Sequence, residues 1–150
     1  MLTFKTILVP TDFTETSNRA LNYAVELAAR FHASIALLHA FEIPVFGFPD
    51  GALIAPADIA TRISVAAQEA LTNALETHKG RGIKMTSLLC EGVVWEEVNR
   101  VAAEIDADLI VIGTHGRRGL ARAILGSSAE NVIRTATVPV LTIHGPRESA

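Results

Sequence analysis

The stretch from Asp108 to Val132 restricts the possible folds of this chain more than any other part of the sequence. It opens with an uninterrupted apolar run, Leu109 to Ile112, of the kind found in a strand that is buried on both faces of a parallel sheet. A glycine ends the run, further glycines stand in the loop that follows, and a helical pattern begins beyond them. A buried strand, a glycine-rich loop and a helix start, in this order, predict an α/β fold with a cradle for a phosphate group.

Three of these glycines, Gly113, Gly116 and Gly126, are the candidate contact points, and Ser127 and Ser128 follow the last of them. Phosphate oxygens are held well by several backbone N–H groups at once, and a Cβ at the contact points would keep the backbone away. The two serines stand where unpaired helix N–H groups and the positive end of the helix dipole would face an anion. Two other interpretations stay open. Ser127 and the glutamate three residues later fit a capping box, and the glycines fit ordinary turns.

The rest of the chain alternates between short apolar or β-branched runs and longer stretches with apolar residues at every third or fourth position. This alternation predicts right-handed crossovers and a parallel, doubly wound sheet in an α/β domain, although periodicity does not fix the strand order. Five strands are predicted at Lys5–Val9, Ser34–Ala40, Lys84–Cys90, Leu109–Ile112 and Val140–Ile143. Four helices are predicted at Thr16–His32, Ala57–His78, Val94–Ile105 and Ser127–Thr135.

Residues Phe41 to Pro56 interrupt this alternation. Prolines and glycines recur there often enough to exclude regular structure and to predict a loop, while three phenylalanines keep the segment apolar. We therefore expect a loop that either contacts a protein partner or folds back over a neighbouring pocket.

Composition excludes several classes of protein. At 150 residues and 49% hydrophobic, the chain is long enough for one well-buried domain, residues 1–150, and too short for two. A formal net charge of −3 provides no basic field for nucleic acid or for an anionic membrane surface. No apolar run approaches the roughly eighteen residues that a membrane-spanning helix needs, so we expect neither nucleic acid nor membrane as a partner.

The single cysteine, Cys90, cannot form an internal disulfide, and the first residues show no basic segment followed by an apolar signal core. We therefore expect a cytoplasmic protein. No cationic neighbour is visible in the sequence that would lower the pKa of the Cys90 thiol, so we expect a buried or half-buried structural side chain instead of a reactive one.

The spacing Gly-x2-Gly-x9-Gly-Ser, which runs from Gly113 to Ser127, resembles the nucleotide-binding signature of the universal stress protein family. The surrounding residues are similar too: Ile110 to Gly116 resembles the family's strand and loop, and Val138 to Leu141 resembles its closing strand. Near the start of the chain, Ile7 to Asp12 resembles the family's first strand and its aspartate. The resemblance spans essentially the whole chain.

This resemblance implies the strand order 3-2-1-4-5, which places the reversal of strand order between strands one and four. Ligands in such sheets bind in that crevice, beyond the carboxyl ends of the strands. The motif after strand one and the motif after strand four would therefore meet at one site. The cofactor-binding residues that the resemblance implies are Pro10, Thr11, Asp12, Ala40, Gly113, Thr114, His115, Gly116, Arg117, Gly126, Ser127 and Ser128.

Individual roles follow from the same resemblance. Asp12 would lie near the ribose and adenine and accept from hydroxyls, and it also suits the cap of the first helix. The backbone of Ala40 would meet the adenine edge, and Gly113 would lie against the ribose. Gly116, Gly126 and the two serines would hold the phosphates. The arginines at 117, 118 and 122 fit either phosphate contact or simple solvation of the loop.

The resemblance thus implies an ATP-binding protein of the stress response that acts as a nucleotide-dependent switch or binding module read by an unknown protein partner. AMP or ADP would suit the same site, and Mg²⁺ or Mn²⁺ would suit the phosphates, although no protein ligand set for a metal is visible. Family members commonly form homodimers through strand five, whose apolar edge would need such cover. In this chain that edge comprises Val138, Val140, Leu141, Thr142 and Ile143.

Rival classes lack their motifs here. An ATP-using ligase of the pyrophosphatase type needs Ser-Gly-Gly-x-Asp-Ser after strand one, where this chain has Thr-Asp-Phe-Thr-Glu-Thr-Ser. A receiver domain needs a lysine after strand five, and a flavodoxin-like carrier needs its phosphate loop after strand one. Slow ATP hydrolysis or autophosphorylation stays open as an alternative, because no group that orients the attacking nucleophile can be placed from sequence. We expect binding without substantial turnover and no catalytic residue.

Overall fold

The structure is a computed structural model of the chain, and it describes residues 1–54, 57–114 and 125–146. The strands are β1 (Thr6–Pro10), β2 (Ser34–Phe41), β3 (Phe46–Gly47), β4 (Leu53–Ile54), β5 (Met85–Glu91), β6 (Leu109–Gly113) and β7 (Val140–Ile143). The helices are α1 (Glu15–Phe31), α2 (Ala57–Thr77), α3 (Val94–Glu104) and α4 (Ser127–Thr135). The five longer strands and the four helices confirm the predicted elements, and no predicted end is displaced by more than one residue.

Five strands form one parallel sheet in the order β5-β2-β1-β6-β7. β1 lies at the centre, where it pairs with β2 over Thr6–Pro10 and with β6 at Ile7 and Leu8. When the two short strands of the 41–56 segment are left out of the numbering, this is the predicted order 3-2-1-4-5. The chain winds from β1 toward β2 but from β6 toward β7, in the opposite direction. A crevice therefore opens between the carboxyl ends of β1 and β6.

Helices cover both faces of the sheet. One core cluster joins Leu21 of α1 to Ile7 and Val9 of β1, and the other joins Val132 of α4 to Leu8. Because alternate residues of a strand point to opposite faces and both faces are buried here, the strands read as continuous apolar runs. None of the helices in the described ranges combines the length and the apolar composition that crossing a membrane requires.

The segment between β2 and α2 is not wholly irregular, so that prediction is wrong. β3 and β4 form a short antiparallel hairpin, in which the N–H of Phe48 donates to the carbonyl of Ala52 at 2.9 Å. Gly51 has a φ of 84° at the turn, which glycine adopts without strain. The hairpin exposes the apolar side chains of Val45, Phe46, Phe48 and Leu53. Its contact with a protein partner or with a pocket stays a prediction.

Candidate functional site

The carboxyl ends of β1 and β6 lie side by side, and both lead into loops that carry predicted site residues. Pro10 ends β1 and Gly113 ends β6. Thr11 and Asp12 continue the chain beyond the first strand, and Thr114 continues it beyond the second. The structure therefore brings the described residues of the two predicted motifs to the same crevice, at the reversal of strand order.

Side-chain hydrogen bonds shape the loop after β1. Oδ1 of Asp12 accepts from the N–H of Thr14 at 3.1 Å and from the Thr14 hydroxyl at 2.5 Å. The Thr11 hydroxyl accepts from the N–H of Phe13 at 3.0 Å and donates to the Ser17 hydroxyl at 3.1 Å. Such bonds turn a chain tightly into a following helix. Since both bonds of Asp12 reach Oδ1, its Oδ2 has no hydrogen-bond partner among the described residues and can accept from a ligand hydroxyl.

Asp12 does not cap α1, so the capping role considered for it is wrong. The N-cap is Thr14, whose side-chain oxygen accepts from the N–H of Ser17 at 3.4 Å. Asp12 acts one step earlier, because it accepts the hydroxyl proton of the capping threonine. The start of the helix and the direction of the carboxylate are therefore linked.

The neighbouring strand β2 supports the same loop through His39, to which the sequence analysis assigned no role. Nδ1 of His39 lies 2.8 Å from the carbonyl oxygen of Thr11, and because a carbonyl only accepts, Nδ1 must carry the hydrogen. The His39 ring also packs against the Phe13 ring, with centroids 4.6 Å apart. Phe13 has a φ of 63°, a left-handed backbone that costs roughly 1–2 kcal/mol. The only feature of the sequence that could have indicated this role is a histidine near the end of an apolar strand.

Gly113 lacks a side chain for a packing reason. A Cβ there would lie 2.9 Å from Cγ2 of Thr16 and 3.1 Å from the carbonyl carbon and oxygen of the same residue. Backbone atoms cannot give way as a side chain does, so any larger residue would push α1 off the end of β6. The position that would lie against a ribose is therefore required to be glycine by the fold itself.

Thr114 and Gly126 close the loop between β6 and α4. The N–H of Gly126 donates to the carbonyl of Thr114 at 2.6 Å, and the N–H of Thr114 donates to the carbonyl of Ile143 at 3.0 Å. Thr114 is buried, and its hydroxyl lies 3.2 Å from Nδ1 of His144. The chain that leaves β6 therefore returns to the same point before α4 begins.

No side chain among the described residues caps the first turn of α4. Gly126 is its N-cap and makes no side-chain bond, so the interpretation of Ser127 and Glu130 as a capping box is wrong. The Glu130 carboxylate pairs instead with Arg134, one turn further on. Gly126 has φ −59° and ψ 146°, values that any residue adopts. The described residues thus leave the first N–H groups and the positive helix end for an anion.

Ala40 lies two residues beyond the last pair of the β1–β2 ladder, which joins Pro10 to Leu38. The Leu38 carbonyl accepts from the N–H of Thr11 at 2.8 Å, which shows that the backbone of Leu38 faces β1. Alternate residues of a strand face the same neighbour, so the N–H and C=O of Ala40 point over the end of β1. Because the side chain of Ala40 is buried, only its main chain could contact the edge of a flat ligand.

His115, Gly116 and Arg117 lie outside the described residues, as do the arginines at 118 and 122. Their assignment to phosphate binding stays a prediction. Of the twelve predicted site residues, the other nine are described, and eight of these lie at the ends of β1 and β6, in the loops that follow these strands or at the start of α4. Gly126 and Thr114 tie the helix start to that crevice, while Ala40 borders it from β2.

The expectation that no cation lies beside Cys90 is wrong. Nη2 of Arg100 in α3 lies 3.6 Å from Sγ of Cys90. Burial nevertheless raises the pKa of the Cys90 thiol, and the nearby Glu97 carboxylate raises that pKa further. Arg100 is itself engaged by Glu97 and Glu104, at 2.7 and 2.6 Å. The half-buried thiol therefore stays protonated near neutral pH, as a structural side chain does.

The chain is similar to known proteins over nearly its whole length. The profile of the universal stress protein family matches residues 3–144. A universal stress protein of Methanocaldococcus jannaschii is 33% identical over 147 residues, which cover 97% of this chain and 85% of that protein.

Two solved structures share both sequence and fold with it. A protein from the universal stress protein family from Burkholderia pseudomallei is 32% identical with a TM-score of 0.74, over 93% of this chain and 95% of its own. A universal stress protein in complex with cAMP is 26% identical with a TM-score of 0.70, over 95% of this chain and 98% of its own. The family profile and the archaeal relative each cover most of the sequence, and the chain belongs to the universal stress protein family.

Proposed function

We propose that this protein binds an adenine nucleotide in the crevice between the carboxyl ends of β1 and β6, and that it serves in the cytoplasm as a nucleotide-dependent switch or binding module of the stress response. The stress response is the role of its family. ATP is the proposed occupant, and ADP or AMP would suit the same site. The observation that carries the proposal is the meeting of an acidic loop and an uncapped helix start at one crevice.

The phosphates would lie at the start of α4. The N–H groups of Ser127 and Ser128 belong to its first turn, where the helix dipole favours an anion and no described side chain competes as a cap. Ser127 is exposed and Ser128 is partly exposed, so a ligand can reach both residues. The missing side chains of Gly116 and Gly126 would let the backbone approach the phosphate oxygens.

The nucleoside would lie on the β1 side of the crevice, over the carboxyl ends of β1 and β2. Oδ2 of Asp12 would accept from a ribose hydroxyl, while Oδ1 is already held by Thr14. The main chain of Ala40 would meet the adenine edge, beyond the last backbone pair of β1. The relative that was solved with cAMP supports an adenosine group as the ligand. The preference for ATP rests on the glycine-rich loop and the helix start, which suit several phosphates.

A divalent cation would enter with the phosphates. In the described ranges, no three His, Cys, Asp or Glu side chains are grouped so that they could hold a metal ion. Mg²⁺ is often bound through substrate phosphates and only one or two carboxylates, and Mn²⁺ prefers similar oxygen ligands. We therefore propose that Mg²⁺ or Mn²⁺ binds as part of the nucleotide complex.

We propose binding without substantial turnover. Efficient phosphoryl transfer needs a group that orients the attacking nucleophile, and the carboxylate of Asp12 is assigned here to the ribose. Slow ATP hydrolysis or autophosphorylation at the same site is the alternative. A phosphate-release assay distinguishes the two, because turnover at kinase-like rates of about 1–100 per second would contradict a binding module.

We further propose a homodimer through β7. This strand lies at the edge of the sheet and pairs only with β6 among the described strands. Leu141 remains 37% exposed, and Val138, Val140 and Thr142 are partly exposed, whereas Ile143 is buried. An apolar edge strand is a template for pairing with another chain. Light scattering at micromolar concentration should give the mass of a dimer, and the mass of a monomer would contradict this assignment.

The nucleotide itself can be identified directly. Freshly purified protein is denatured, and the released small molecules are separated by chromatography beside adenine and guanine nucleotide standards. We expect an adenine nucleotide in amounts that approach the protein concentration. Release of a different cofactor, or of nothing from a protein that also fails to take up added ATP, would contradict the proposal.

A further inference from the structure

His39 contacts the loop after β1 on both sides of Asp12. Its Nδ1–H donates to the carbonyl of Thr11, the residue before Asp12, at 2.8 Å. Its ring packs against the ring of Phe13, the residue after Asp12, with centroids 4.6 Å apart and planes inclined by 36°. One side chain from β2 therefore restrains the two peptide units between which the Asp12 carboxylate projects.

The loop needs such a restraint, because its backbone is strained. Phe13 has a φ of 63°, in the left-handed region that bulky residues avoid. Without a partner for its ring, Phe13 would relax toward an ordinary conformation and rotate the peptide unit next to Asp12. Oδ1 of Asp12 would then lose its alignment with the N–H and hydroxyl of Thr14, at 3.1 and 2.5 Å. Strain of this kind clusters where a loop is held ready for a ligand.

His39 is itself held firmly. It lies in β2, pairs in register with Leu89 of β5, and has Thr11 and β1 on its other side. Its ring also stacks on Phe41, with planes inclined by 17° and centroids 6.3 Å apart. A residue on a central strand with a restrained rotamer can fix a loop more accurately than another loop residue can.

We propose that His39 is a positioning residue of the nucleotide site, which sets the direction of the Asp12 carboxylate and thereby the preference for a ribonucleotide over a 2′-deoxyribonucleotide. This inference rests on the proposed function. It deepens that function by naming the residue on which sugar selection depends, although His39 would touch neither sugar nor phosphate.

Two substitutions separate the hydrogen bond from the ring contact. His39→Asn keeps a donor close to the Nδ1 position but removes the ring, and His39→Phe keeps a ring but removes the donor. In the wild type we expect ATP to bind about tenfold more tightly than 2′-deoxy-ATP, the value of one hydrogen bond to a charged group. Each variant removes one of the two restraints on the loop, so both His39→Phe and His39→Asn should lower that ratio toward one. His32→Asn, at the exposed end of α1, is the matched control and should leave the ratio unchanged.

The tautomer of His39 gives a second readout that needs no nucleotide. Nitrogen–proton correlation spectra of the wild-type imidazole rings should show the hydrogen of His39 on Nδ1, the reverse of the tautomer that free histidine favours. A hydrogen on Nε2, or a ratio that stays the same in His39→Phe, would overturn the inference. Failure of the wild type to bind any adenine nucleotide would instead remove the proposed function, and the sugar-selecting role with it, whatever the tautomer shows.

Discussion

The β1 side of the crevice is built from side chains, whereas the β6 side is built from main chain. Asp12, Thr14 and His39 fix the loop after β1 through side-chain hydrogen bonds. After β6, Thr114 and Gly126 are joined by backbone groups, and α4 begins without a cap from any side chain in the described part of the chain. A side chain can select one chemical group of a ligand, whereas backbone N–H groups at a helix start bind any anion of suitable shape. The β1 side should therefore decide which nucleotide binds, and the β6 side how tightly.

The two described glycines of the loop signature repeat this contrast on a smaller scale. Thr16, near the start of α1, lies so close to Gly113 that it leaves no room for a side chain there. Gly126 has an ordinary backbone conformation that does not demand glycine. The first glycine serves the fold, and the second is the one that the proposed phosphate site would require.

The largest effect on ATP binding should follow from placing bulky side chains on the β6 side of the crevice. We expect the double variant Gly116→Val with Gly126→Val to weaken ATP binding by about 100-fold or more, because the backbone can no longer reach the phosphates. Isothermal titration calorimetry measures the affinity, and urea unfolding should remain cooperative. Gly47→Val is the matched control, since a Cβ there meets only Leu53 at an ordinary 3.7 Å. Unchanged ATP binding in the double variant would refute the main-chain account of this side.

The two glycines should respond differently to a single methyl group. Gly113→Ala should lower the free energy of unfolding by about 1–3 kcal/mol, because the new Cβ overlaps the backbone of Thr16. Gly126→Ala should change it by no more than about 0.5 kcal/mol, since its φ and ψ suit alanine. Urea unfolding of the two variants and the wild type provides the comparison. Equal losses would show that both glycines serve the fold.

The β1 side should control sugar selection. Asp12→Asn keeps an acceptor for Thr14 but replaces Oδ2 by a donor, so it should weaken ATP binding by about tenfold and 2′-deoxy-ATP binding much less. Competition titrations with the two nucleotides measure this difference. An equal loss for both sugars would place Asp12 away from the 2′-hydroxyl and would remove the selective role of this side.

The smallest effect concerns His78, which comes before the amino end of the edge strand β5, whereas the crevice lies at the carboxyl ends of β1 and β6. Burial lowers the pKa of His78, and Arg81 lowers that pKa further. Its Nδ1 is buried without a hydrogen-bond partner among the described residues. As the pH falls, His78 takes up a proton in the unfolded chain before it does so in the folded one. The contribution of neutral His78 to the stability of the fold is therefore present above a pH of about 6.5 and is lost as the pH falls toward the lower pKa of the folded state.

His78→Leu should accordingly lose part of the fall in melting temperature that the wild type shows between pH values of about 7.5 and 5.5. Thermal unfolding at the two pH values measures this. The ratio of ATP to 2′-deoxy-ATP affinity should be the same in the variant and the wild type, because His78 precedes the amino end of β5 and the crevice lies at the carboxyl ends of the strands. An identical fall in melting temperature in both proteins would show that His78 does not contribute to the acid sensitivity of the fold.

Most of the fold was predictable from sequence because both faces of the sheet are buried. Runs such as Ile7–Val9 and Leu109–Ile112 have no polar residue that would obscure their strands, and the helices show clear apolar faces. The hairpin of β3 and β4 was not predictable in this way. Each strand has two residues, and the turn depends on the positive φ of Gly51 more than on any periodic pattern.

The location of the candidate site was predictable, but several roles were not. The carboxyl ends of β1 and β6 follow from the strand order, whereas the capping roles of Asp12 and Ser127 depend on where each helix begins, to within one or two residues. Thr14 and Gly126 hold those positions instead. Contacts between residues far apart in the sequence could not be predicted: Thr16 touches Gly113, and His39 touches Thr11 from 28 residues away.

Calorimetric titration of the wild-type protein with ATP in the presence of Mg²⁺ tests the central claim most directly. We predict a saturable heat with one site per chain and affinity that falls when GTP replaces ATP. A correctly folded protein that releases no bound nucleotide on denaturation and gives no heat with millimolar ATP, ADP or AMP would contradict the assignment of the crevice as an adenine nucleotide site.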